Sequence, residues 1–139
     1  MNKYDLLHRT KLFALNIIQF VGTMKKGMLA DVLGKQLLRC ATSIGANYRS
    51  ACRARSRADF ISKIAIVEEE AAETIYWLEL IKESDITRDI AINSLIDEAN
   101  ELTAIFTSTG KTAKSNKFEI RHQKSEIKKG GKDDTGGIS

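Results

Sequence analysis

A chain of 139 residues without a proline, 42% hydrophobic and 29% charged with a net charge of +4, has room for a single hydrophobic core. Glycines are sparse before Gly110, while Leu, Ile, Ala, Lys and Glu abound, which favours an all-helical protein. No apolar run approaches the roughly 20 residues that span a bilayer, and the first residues lack a signal-peptide block, so a soluble, cytoplasmic chain without membrane contact is expected.

Helix 1 is predicted from about Asp5 to Met24. Leu7, Ala14, Ile17, Ile18 and Val21 share one inward face, widened by Leu6, Phe13, Phe20 and Met24. Thr23 to Gly27 reads as its exit. Helix 2 follows from about Ala30 to Ala54, with Ala30, Leu33, Leu37, Ala41, Ile44, Tyr48 and Ala51 as its packing seam. Away from that seam lie Lys35, Arg39, Thr42, Ala46, Arg49 and Arg53; between the two runs a stripe of small or amide side chains through Gln36, Cys40, Ser43, Asn47, Ser50 and Ala54. Gly34 and Gly45 each cost about 1 kcal/mol inside a helix, and a close approach of another helix would account for them. Cys40 and Cys52 lie on this one helix and cannot bridge, so both are expected as free thiols in a reducing compartment.

After the basic break at Arg53, Arg55 and Arg57, Ser56 with Asp59 forms a capping-box-like start. Helix 3 is predicted from about Arg57 to Lys82, about 39 Å long at 1.5 Å per residue. Phe60, Ile64, Val67, Ala71, Thr74, Leu78 and Ile81 form its seam. The opposite face carries Ile66, Tyr76, Trp77 and Leu80, with Glu69 and Glu73 among them. A helix apolar on two sides is buried on two sides, so this second stripe predicts a subunit interface; the alternative is that Trp77 packs at the edge of its own bundle.

Thr87 can cap helix 4, predicted from about Arg88 to near Thr109, with Ile92, Leu95, Ile96, Ala99, Leu102, Ile105 and Phe106 inward and Gly110 ending it. Four amphipathic helices with short connections make an antiparallel up-down four-helix bundle over residues 1–112. Residues 113–139, rich in Lys and Gly, are expected to form a basic, largely disordered tail.

Little in the chain promises chemistry. A di-metal bundle wants two Glu-x-x-His pairs, and only Glu119 to His122 has that spacing, so neither a metal nor a cofactor is expected. The acidic run Glu68, Glu69, Glu70 and Glu73 has no nucleophile or phosphate loop beside it, and no catalytic residues are assigned; the chain reads as a non-enzyme. The positive functional signal is the basic stripe of Lys35, Arg39, Arg49 and Arg53, continued by Arg55 and Arg57. It suits a track for RNA or DNA phosphates, and equally a set of salt-bridge partners for helix 3.

The stretch QLLRCATSIGANYRSACRARSRADFISKIAIVEEEAAETIYWLELI resembles the signature of the small bacterial four-helix-bundle proteins encoded in intervening sequences of large-subunit ribosomal RNA genes. Gln36, Ser43, Asn47, the Glu68 to Glu73 run and the Tyr76-Trp77-Leu78 step carry the likeness, which extends over roughly Leu6 to Lys114. Cys40 departs from the serine common there. The resemblance implies a ring-like homo-oligomer, a pentamer, without known enzymatic activity. The architecture is also similar to that of the accessory proteins of diversity-generating retroelements, which bind nucleic acid and a reverse transcriptase. Two functional expectations follow: an oligomeric nucleic-acid-binding protein for structured RNA or RNA–DNA, or an adaptor for a reverse transcriptase or ribosome-associated factor.

Overall fold

The protein is described for residues 1–115 by a computed structural model, in which four helices follow one another: α1 (Lys3–Thr23), α2 (Met28–Cys52), α3 (Arg57–Glu83) and α4 (Ala91–Lys114). Each helix turns one apolar stripe inward. Phe13 and Ile17 of α1, Leu37 and Ile44 of α2, Ile64, Val67 and Leu78 of α3, and Leu102 and Phe106 of α4 are essentially sealed from solvent. Each such side chain contributes about 1.5–3 kcal/mol on burial. Among the described residues the two buried threonine hydroxyls are satisfied within their own helices: Thr10 donates to the Leu6 carbonyl and Thr74 to that of Glu70.

α3 is the central packing element, in broad contact with both α2 and α4, while α1 packs mainly on α2 and only thinly on α4. Paired residues run in opposite order along neighbouring helices. Thr23 at the end of α1 meets Asp89 just before α4, while Arg9 nearer its start meets Glu98; Glu68 of α3 accepts from Thr107, while Arg57 reaches Ala113. The two helix 2 glycines sit where α1 comes close. A Cβ on Gly45 would lie 3.3 Å from the Thr10 hydroxyl oxygen, and one on Gly34 would lie 3.2 Å from Met24 and Val21 atoms. Omitting those methylenes lets α1 settle onto α2.

The ends follow their local chemistry. Asn2 and Asp5 form a reciprocal capping box at α1, each side chain accepting from the other's backbone N–H. At α3 the Ser56 hydroxyl accepts from the Asp59 N–H, but the Asp59 carboxylate accepts from Arg55 rather than from Ser56. Asp85, at a φ of 59°, turns the chain out of α3 in the left-handed region that Asp tolerates.

Three expectations need correction. Ile18 is half exposed, not inward, because the core stripe of α1 narrows to Leu6, Thr10, Phe13, Ile17 and Phe20. Helix 4 begins at Ala91, since Thr87 caps the N–H of Asp89 in a local turn and Asp89 in turn caps Ala91. Nor does Gly110 end it: α4 continues to Lys114, where Ala113 is buried and Arg57 donates to its carbonyl at 2.7 Å. That buried turn outweighs the helix cost of one glycine. Most of the expected tail, with Glu119 and His122, lies outside the described residues. Among the described residues no helix is long and apolar enough to cross a membrane.

Candidate nucleic-acid interface

The six basic residues singled out from the sequence divide into three groups. Arg39 is half exposed but engaged by α3. It pairs with Glu73 at 2.8 Å, lies 3.5 Å from Glu70, and donates to the Cys40 sulfur at 3.1 Å. Arg57 is a staple between the start of α3 and the end of α4. Lys35, Arg49, Arg53 and Arg55 are exposed, and their side chains make no ion pair among the described residues.

Topology then separates Lys35 from the other three. It lies fourteen residues before Arg49, about 21 Å along the axis. Arg49, Arg53 and Arg55 gather at the end of the bundle where α2 turns into α3. The Arg57 to Ala113 contact brings Lys111 and Lys114 of α4 to that same end, and Lys3 of α1 lies near enough to Cys52 to act on its thiol. Reading α2 alone misses these lysines. The signal for them was the up-down order, which returns the first start and the last end to one side. The nearby Asp59 is engaged by Lys63 at 2.8 Å, and that contact, with the Arg55 N–H, holds its carboxyl below the usual range. The result is one end of the bundle rich in solvated cations, with the acid nearest the α2–α3 turn already occupied.

The flank between α2 and α3 is built the other way. Cys40, Glu70 and Glu73 bring three potential ligand atoms within 4.8 Å of one another. Burial, with Glu73 next in effect, pushes the Cys40 thiol up to about 11, against the pull of Arg39. A thiol held protonated is a poor ligand and nucleophile, and the Arg39 guanidinium already neutralises the carboxylates. Burial likewise raises the Glu70 carboxyl, one of whose oxygens is buried and accepts no hydrogen bond. These partners sit some thirty residues from Cys40 on another helix, so spacing could not reveal the trio.

On the outer face of α3, Ile66 and Tyr76 are exposed at 41% and 54%, and Glu69 faces solvent beside them. Leu80 is half-buried. Trp77 packs partly on the core, edge-on to Tyr76 at 5.2 Å, with its indole N–H buried and without an acceptor. Glu73 is taken by Arg39.

The family model described as 23S rRNA-intervening sequence protein matches residues 2–108. Among solved structures, the chain is similar to the crystal structure of a protein with unknown function from the S23 ribosomal protein family of Bacteroides thetaiotaomicron. The two are 36% identical with a TM-score of 0.74, over 81% of this chain and 100% of that one. A comparison with curated proteins returns no match.

Proposed function

The chain belongs to the 23S rRNA-intervening sequence protein family, and from that premise we propose a non-enzymatic, cytoplasmic, homo-oligomeric protein that binds structured RNA or RNA–DNA through its phosphates. One observation carries the reading: Arg49, Arg53 and Arg55 stand exposed at one end of the bundle, without an ion pair among the described residues, and Lys111 and Lys114 of α4 lie at that same end. Such a cluster releases counterions when it meets a phosphate backbone, and copies in an oligomer multiply its affinity. Base readout is not part of the proposal, because no aromatic side chain is interleaved with these arginines to stack a base. The outward stripe of Ile66, Tyr76 and Leu80 supports association of copies, in a ring of five by the family likeness.

The test is a fluorescence-anisotropy titration of a labelled RNA hairpin at increasing potassium chloride. Affinity is expected to fall steeply and linearly on logarithmic axes, with a slope of about −0.9 for each phosphate neutralised. A flat dependence, or no binding in low salt, would refute phosphate recognition. A second reading, an adaptor for a reverse transcriptase or ribosome-associated factor, is favoured by Arg39 and Arg57 being consumed within the chain. It expects a protein partner whose capture survives nuclease treatment, alongside no RNA binding by the purified protein.

A further inference from the structure

α1 carries a second apolar stripe that its own bundle leaves bare. Tyr4, Leu15 and Ile18 are exposed at 73%, 51% and 50%, and at 100° per residue they fall with Lys11 within an arc of about 60° opposite the core face. Beside them Leu12, also exposed, borders a groove of about 500 Å³ between α1 and α4, floored by Phe13, Phe20 and Leu95. The groove exists because α1 and α4 are the most thinly packed neighbours in the bundle.

The outer stripe of α3 is the counterpart. Ile66, Glu69, Tyr76 and Leu80 span an arc of about 80°. α1 and α3 each pack on α2 and α4 and share no substantial contact, so they occupy opposite corners and their stripes face opposite ways. The charges among the exposed apolar groups also differ in sign: Lys11 on α1, Glu69 on α3.

We propose that these two stripes are the halves of one interface, the α1 face of each copy receiving the α3 face of the next. Pairing like with like would set Lys11 against Lys11 or Glu69 against Glu69, whereas the crossed pairing opposes Lys11 and Glu69. It also offers the groove beside Leu12 to a protruding side chain such as Tyr76. An interface made of two different faces is heterologous, so association does not stop at two copies but continues until a ring closes or a filament grows. The inference rests on the proposed self-association and is independent of the nucleic-acid reading.

Light scattering after size exclusion tests it with Leu15→Glu and Tyr76→Glu, both at exposed positions. The wild type is expected as a species larger than a dimer and each variant alone as a monomer. Their equimolar mixture should form one-to-one dimers, because only one intact α1 face and one intact α3 face remain. Helical circular dichroism verifies folding, and Ile18→Glu with Ile66→Glu repeats the design at independent positions. A monomeric wild type would overturn self-association itself. An oligomer that persists in either variant, or a mixture of folded variants that stays monomeric, would overturn the crossed pairing alone.

Discussion

Arg39 stands on α2 and Arg53 at its C-cap, fourteen residues on, and the two meet different fates. Arg39 looks across at Glu70 and Glu73 of α3 and is held by them. Arg53 lies where α2 has already ended, beyond the reach of that acidic run, and stays in solvent with Arg49 and Arg55. A stripe of like charges on a helix is therefore not one functional unit. What packs opposite each turn decides whether a cation serves the fold or remains available to a ligand.

The strongest way to break this contrast is to neutralise the free end. Arg49→Ala with Arg53→Ala and Arg55→Ala should lower RNA affinity by about two to three orders of magnitude in ~0.1 M salt and make the salt slope shallower by about 2.7, from ~0.9 per lost contact. Thermal melts should show stability unchanged to within about 0.5 kcal/mol, as for other surface substitutions.

Next in size is the contrast between two arginines at the α2–α3 turn. Arg57→Ala removes the donor to the Ala113 carbonyl and should cost about 1–2 kcal/mol in urea unfolding, while Arg55→Ala, whose side chain makes no such bond, should leave the midpoint in place.

A smaller and pH-dependent effect is expected at Arg39. The folded state holds the Glu70 carboxyl above its ordinary value despite the pull of Arg39, so Glu70 binds more protons folded than unfolded, and its contribution to stability declines as pH rises through that window. Arg39→Ala removes the pull and raises Glu70 further. Its melting temperature should therefore lie below that of the wild type at pH 7, and the gap should narrow towards pH 4 as the acidic partners become protonated. A gap that widens on acidification would show that Arg39 acts through something other than these carboxylates.

Much of the fold was legible because local signals agreed. The inward stripe of α3 matches its buried residues, those of α2 and α4 match apart from the half-buried Ala30, Leu33, Ile96 and Ile105 and the buried Cys40, and the Ser56–Asp59 start of α3 formed as its spacing suggested. Legibility failed where the deciding partner lay far off in sequence. Gly110 looked like a stop until Arg57 and the buried Ala113 carried α4 past it. Ile18 looked inward because periodicity gives the centre of a stripe better than its edge. Likewise, the basic run showed six cations without showing that Glu73 and the end of α4 would claim two of them.

The most direct test sets Arg39→Ala and Arg53→Ala side by side in the same RNA titration at ~0.1 M salt. Arg53→Ala is expected to weaken binding about eightfold, the loss of one phosphate contact, while Arg39→Ala stays within about twofold of the wild type. Equal losses in both variants, or no loss in either, would contradict the division of this stripe into a structural and a ligand-binding part.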